Sequence, residues 1–360
     1  MQLTTNLKKT FLAWGTLILW AFTLIVPVAT AAQTSGAAHA LFDLTAPTKG
    51  PFPSNRFTVE DASHNTWLRV NLPLPDCAAR PSDCEDVRVL NTLDGFNLQP
   101  RLSIPFDGPI NPLTVNSDSV FLISLGSTLL DRGDPRGTVI GINQVVWDPA
   151  TNTVHVESNE VLTQHTRYAL IVRNWVRGQN GLPVEASRAF RQFRERLPWA
   201  LREYRSELNE ALRVARRLGI REQDIVTASV FTTQSTTAVL EKIRDQIKAA
   251  TPAPANFLLG SGGTRTVFAL DAVTSLTGSL QTRDNPPAFS TATVGLATLR
   301  IIPGAVGTIA FGKYRSPDYE VHPGEYIPTV GTYTHDPAVQ GVNDVFFNLY
   351  LPSGPKPAGG

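Results

Sequence analysis

The chain has 360 residues, of which 42% are hydrophobic, 18% charged and 8% aromatic, a composition too apolar and too weakly charged for disorder. Its 32 basic and 31 acidic residues leave a net charge of +1, which excludes a general electrostatic footprint for nucleic acid or an anionic membrane. With 27 prolines and 26 glycines, turns and strands should prevail, and an all-helical bundle is excluded.

Lys8 and Lys9 precede an apolar run from Phe11 to Val28, and Ala29-Thr30-Ala31 follows. This is the basic, apolar and small-residue order of a secretory signal peptide, predicted over residues 1–31. The run is nearly long enough to span a bilayer, so a retained anchor is the alternative. The Ala-x-Ala site favours cleavage. Loss of the two lysines would leave 30 basic residues against 31 acidic ones. No later segment is apolar enough to cross a membrane, so the expected location is secreted, periplasmic or cell-surface, with no stable span after cleavage.

Residues 32–96 read as an extended lead-in, rich in Ala, Thr, Ser and Pro over 32–70, with Pro51-Phe52-Pro53-Ser54-Asn55 breaking any period. Cys77 and Cys84 are the two cysteines of the chain. In an exported protein this pair most simply forms one disulfide. The chain-entropy account gives such a short loop about 2.5 kcal/mol. Zinc would need further ligands at finger spacing, which are missing. The neighbouring carboxylates and the second cysteine argue against a catalytic thiolate.

From residue 97 to 184 the pattern is β. Leu102, Ile104 and Phe106 alternate with Ser103 and Pro105, as in a half-buried strand. Val120 to Leu125 is apolar on both faces and reads as central. Val145-Val146-Trp147 and Thr153-Val154-His155-Val156 flank Asp148-Pro149-Ala150-Thr151-Asn152, a hairpin signal. Tyr168 to Trp175 supplies another strand. Short strands separated by turn chemistry predict a β-sandwich.

Residues 185–250 differ in kind. Phe190, Phe193, Leu197, Leu201, Tyr204, Leu208, Leu212 and Ala215 recur at spacings of three and four, one face of an amphipathic helix that Pro198 divides and Gly219 ends. Arginines crowd the other face, yet they interleave with glutamates at helical spacings, as on a solvated surface. Ile225 to Phe231 is strand-like, and a second helix is predicted over 236–249. Residues 251–263 read as a linker. β character returns at 306–314 and at 345–351, the latter apolar on both faces. Such a strand belongs inside a covered sheet, so further sheet is expected downstream of it.

Among short motifs, Gly260-Ser261-Gly262-Gly263 lacks the lysine and preceding strand of a phosphate loop. Arg132-Gly133-Asp134 is a loop tripeptide that matches by chance. The histidines at 39, 64, 155, 165, 322 and 335 show no metal-ligand spacing, and Gly-x-Ser-x-Gly is absent. No catalytic, cofactor-binding or metal residue is predicted; the site residues assigned are the disulfide pair Cys77 and Cys84.

The run from Arg101 to Val115 (RLSIPFDGPINPLTV) resembles the opening of a bacterial S-layer-type Ig-like domain. Trp147–Asn152, Thr166–Leu170 and Gly178–Gly181 fall where that domain has its hairpin, its tyrosine-bearing strand and its closing turn. Phe52–Val59, Val70–Cys77, Val89–Phe96 and Thr227–Ser235 are similar to the N-terminal region of exported bacterial lipase/esterase-like proteins, in which an Ig-like module precedes an α/β-hydrolase domain. The resemblance implies that every catalytic position lies beyond residue 360.

The expected fold is therefore mainly β with a helical insert: an Ig-like β-sandwich (97–184), a helical arm (185–250) and, after the linker, the first strands of an incomplete α/β-hydrolase-like sheet (264–360). The resemblance implies a non-catalytic spacer or docking portion of a secreted ester hydrolase, reaching a lipid or other ester substrate only through the absent domain. The alternative is a cell-surface binding or adhesion protein whose Ig-like loops hold a glycan or a host protein. Neither reading invokes a cofactor.

Overall fold

The computed structural model describes residues 36–129, 136–196, 201–284, 286–321, 326–328 and 331–354. The signal peptide predicted over residues 1–31, Arg132-Gly133-Asp134, Pro198 and His322 lie outside the described residues. Strand accounts for 33% of the structure and helix for 21%, so the fold is mainly β with a helical insert.

In chain order the elements are β1 (His39–Ala40), β2 (Thr58–Glu60), β3 (Leu68–Val70), α1 (Pro81–Leu90), β4 (Leu102–Pro105), β5 (Val120–Ser127), β6 (Val139–Ile140), β7 (Ile142–Asp148), β8 (Thr153–Ser158), β9 (Thr166–Arg173), β10 (Glu185–Ala186), α2 (Arg188–Arg191), α3 (Phe193–Arg196), α4 (Arg202–Arg217), β11 (Ile225–Thr232), α5 (Ala238–Ala249), β12 (Val267–Ala269), β13 (Leu276–Gln281), β14 (Phe289–Val294), α6 (Leu296–Leu299), β15 (Thr308–Asp318) and β16 (Gly341–Leu351).

Two sheets make the sandwich, one ordered β4-β8-β7 and the other β11-β9-β5-β6. Their facing residues form one core, with Leu102, Ile104, Val154 and Val156 meeting Val120, Leu122, Tyr168, Leu170 and Phe231. Because side chains alternate along a strand, Phe121, Ile123, Ala169, Ile171, Ala228 and Val230 point the other way. They form a second core with Tyr204, Leu208, Ala211, Leu212 and Ala215 of α4. The four-stranded sheet is thus covered on both faces, which is why Val120 to Leu125 has no polar side.

Three features depart from the sequence reading. Residues 81–90 form a helix within the extended lead-in, with Pro81 in its first turn and only Cys84 buried. The amphipathic stripe from Phe190, expected as a helix divided at Pro198, is divided once more: α2 and α3 are single turns, and α4, which starts at Arg202, carries the remaining sixteen residues. Most consequentially, β11 is not part of a connection. It runs antiparallel to β9 from Ile225↔Arg173 to Thr232↔Arg167, so the sandwich closes only at residue 232 and α4 is an insert in it.

The lead-in is threaded over this body. β1 pairs with β10, Phe52 bridges Ser103, and Phe96 bridges Thr233. The later residues form a separate sheet, β12-β15-β16, antiparallel throughout. The α/β-hydrolase expectation asks for parallel strands joined by helices, and the described residues after 263 hold no such unit. β16 pairs with β15 over its whole length, yet Phe346 is 68% exposed and Tyr350 and Leu351 are also open. The covered strand expected from its apolar sequence is instead an open edge, because no layer among the described residues lies over it.

Candidate functional site

Of the residues singled out in the sequence, Cys77 and Cys84 are joined in a disulfide, with their Cα atoms 5.6 Å apart. It ties the turn at Asp76 to the first turn of α1. The histidines are scattered. His39 contacts Asp107 at 2.8 Å, His155 contacts Ser103 at 2.9 Å across the β4/β8 ladder, and His165 contacts Ser127 at 3.2 Å. Among the described residues no three His, Cys, Asp or Glu side chains gather as a metal site.

Two constellations were not singled out. The first is a cleft of about 450 Å³ between α4 and the lead-in, lined by Asn55, Arg56, Arg167, Glu203, Tyr204, Glu207 and Glu210 among others. Burial pushes the Glu207 carboxyl up to about 7, and Glu210 and Glu203 push the same way; the Asn55 amide and Arg167 oppose them. Asn55 donates from Nδ2 to both carboxylate oxygens and to Thr232 Oγ1. Its Oδ1 is buried with no hydrogen-bond partner. Arg56 spends its guanidinium on the carbonyls of Leu44, Ala46 and Pro47 and stacks 4.1 Å over Phe57. Glu210 is ion-paired with Arg136 and Arg167. This arrangement can take up and release one proton near neutrality. A sequence signal existed: Glu207 stands three residues after Tyr204 and four before Ala211, hence beside the buried stripe.

The second constellation joins segments more than 260 residues apart. His64, 3% exposed, accepts at Nδ1 from the Thr332 N–H at 3.3 Å. Thr332 Oγ1 donates to Asp94 Oδ2 at 2.8 Å and accepts from the Asn65 N–H at 2.9 Å. Asp94 Oδ1 accepts from the Ser235 N–H, and the Asp94 carbonyl from Thr66 Oγ1. The Tyr333 and Thr334 amides both donate to the Ser63 carbonyl. Lys242 of α5 donates to the carbonyls of Tyr333 and His335. Burial holds the His64 imidazole below its ordinary value; Asp94 and Asp61 oppose this, whereas Arg69 and His335 reinforce it. At the rim of this clasp Trp67 and Tyr333 lie 6.1 Å apart with ring planes inclined by 40°. Hydrogen bonds across such sequence separations leave no local pattern, so nothing in the spacing of these residues announces the clasp.

No family model matches the chain, and no curated protein matches it. Several solved structures align with it, two of them S-layer proteins. One is the N-terminal part of the bacterial S-layer protein SbsC, at 9% identity and a TM-score of 0.22, covering 74% of this chain and 48% of that one. The other is the S-layer protein rSbsC(31-844), at 10% identity and a TM-score of 0.22, covering 70% of this chain and 24% of that one. The chain therefore spans about half of the first and a quarter of the second. Likeness at this level carries no argument about function. No helix among the described residues is long and apolar enough to cross a membrane.

Proposed function

We propose that this chain is the non-catalytic scaffold of an exported, surface-located protein: a three-layer body that fixes the positions of its surface loops. The observation that carries this reading is the setting of the closest Ser–His contact. Serine catalysis needs a base oriented by a third group and free N–H donors aimed at the developing oxyanion. Ser103 sits inside a ladder, its N–H donating to the Phe52 carbonyl at 2.8 Å, and Asp148 next to His155 spends its carboxylate on Thr151 and the Ala150 amide.

The narrower reading, a hydrolase domain joined to this scaffold, draws support from β16, whose free edge and exposed Phe346, Tyr350 and Leu351 suit continuation of the sheet. A surface-binding role draws support from the exposed pair Trp67 and Tyr333. A fluorophosphonate probe and p-nitrophenyl esters test the scaffold reading on the purified chain. Neither labelling nor turnover is expected, and stoichiometric labelling with turnover overturns it. The gene separates the two narrower readings: an elbow-bearing domain encoded in frame after residue 360 supports the hydrolase.

A further inference from the structure

β16 is eleven residues long and pairs with β15 in an unbroken antiparallel register, from Thr308↔Leu351 to Asp318↔Gly341. On its other side it has no strand partner among the described residues. Edge strands of soluble proteins are commonly blunted by lysine, proline, a bulge or a covering element. β16 holds no lysine, proline or bulge, and its one charged residue, Asp344, is already paired with Lys313 at 2.7 Å. Phe346, at its midpoint, is the most exposed of its apolar side chains, and Val342, Tyr350 and Leu351 are open as well.

The direction of the free backbone groups follows from β15. Lys313 donates its N–H to the Asn256 carbonyl at 3.0 Å and accepts the Asn256 N–H at 2.7 Å. The Phe311 N–H likewise donates to the Thr266 carbonyl. These residues therefore bond away from β16. Bonded and non-bonded pairs alternate along an antiparallel ladder, and Phe346 is the partner of Lys313. Phe346 thus turns its N–H and C=O to the open side, and so do Val342, Asp344, Asn348 and Tyr350.

We propose that two copies of the chain join at this edge, β16 against β16, antiparallel about a two-fold axis through Phe346. In that register the strand is its own complement over its whole length. The outward N–H and C=O of Phe346 meet those of its counterpart, and the strands exchange about ten hydrogen bonds. The two Phe346 rings lie opposite each other, Val342 lies opposite Tyr350, and Val345 opposite Phe347. Aromatic and β-branched cross-strand pairs of this kind are favourable. Asp344 faces Asn348, so no like charges meet. An unrelated extended peptide would need the same match by accident, whereas a second copy has it by symmetry. The joint merges two three-stranded sheets into one. This inference goes beyond the scaffold reading; a second copy and the downstream sheet considered above would compete for the edge.

Sedimentation velocity of the purified chain from about 1 to 100 µM, the range of weak interfaces, tests the joint. A reversible monomer–dimer equilibrium is expected. Asn348 is exposed, and by symmetry each change there acts twice. Asn348→Asp sets carboxylates against Asp344 and should weaken the dimer roughly tenfold, whereas Asn348→Lys sets opposite charges there and should tighten it roughly tenfold. Opposite responses at one position cannot come from misfolding. Trp175→Ala, at an exposed residue of another element, should leave the dissociation constant within about twofold. A monomer at every concentration, growth beyond a dimer, or equal dimer strength in Asn348→Asp and Asn348→Lys would each overturn the proposal. None of these results touches the scaffold reading, which the fluorophosphonate experiment decides.

Discussion

Asn55 Nδ2 stands 3.1 Å from each carboxylate oxygen of Glu207, 152 residues away, and this bond fastens the lead-in to the helical layer. The carboxyl it holds has its pKa raised from 4.5 to about 7 by burial. Between those values the folded chain binds a proton that the unfolded chain has already lost. The contribution of Glu207 to stability is therefore fully present below pH 4.5 and is lost as pH rises toward and through 7.

Glu207→Gln should flatten that decline and stabilise the protein above pH 7, by about 1–2 kcal/mol at most. Its amide can also donate to Asn55 Oδ1, which lacks a partner. Urea denaturation between pH 4.5 and 8 measures this. Parallel curves for the two proteins would show that Glu207 is solvated in the folded state.

His64 works in the opposite direction. Its folded pKa lies below the ordinary 6.5, so the unfolded chain binds the proton first. This contribution is complete above 6.5 and lost as pH falls through that value to the folded pKa. Protonation at Nδ1 also removes the acceptor for the Thr332 amide. Hydrogen exchange at residues 331–335 should accelerate below pH 6, and His64→Asn should remove the pH dependence. Exchange that is uniform from pH 5 to 8 would contradict the clasp.

The disulfide should matter locally. α1 buries only Cys84 and is otherwise held by Asn91, which exchanges hydrogen bonds with the Leu72 backbone. Cys77→Ser/Cys84→Ser should speed exchange in residues 81–90 at least tenfold, about 1.4 kcal/mol of local protection. The midpoint of sandwich unfolding should move little. A midpoint lowered by the full loop-closure value of about 2.5 kcal/mol would mean that α1 unfolds with the core.

Protection should also divide the molecule. Amides of β5, β9 and β11 lie in a sheet covered on both faces and should persist for hours. Those of β16 lie on an open edge and should exchange far sooner, or slow with rising protein concentration if the edge pairs with a second copy. Concentration-independent protection equal to that of β5 would contradict an open edge.

Much of the sandwich was legible because its signals are local. The hairpin of β7 and β8 follows from alternation around Asp148-Pro149, and the doubly covered β5 from an apolar run with no polar side. α5 falls within the second helix predicted over 236–249. What escaped depended on partners far along the chain. Ile225 to Phe231 reads as a strand, but nothing local says that it pairs with Tyr168. The α1 sequence has a weak stripe, so its helix is fixed by Pro81 and the Cys84 crosslink instead of by periodicity. His64, Asp94 and Thr332 are common polar residues whose meeting only the tertiary fold creates.

The late return of β11 has a consequence for how the chain comes together. Ser229 donates to the Pro53 carbonyl across 176 residues, and Asn55 donates to Thr232 across 177. Everything from the lead-in to the helical layer therefore waits on the last strand of the sandwich. Contacts this distant in sequence close slowly. A chain with that wiring brings its lead-in, sandwich and helical layer together in one late step, which cannot begin before residue 232 is available.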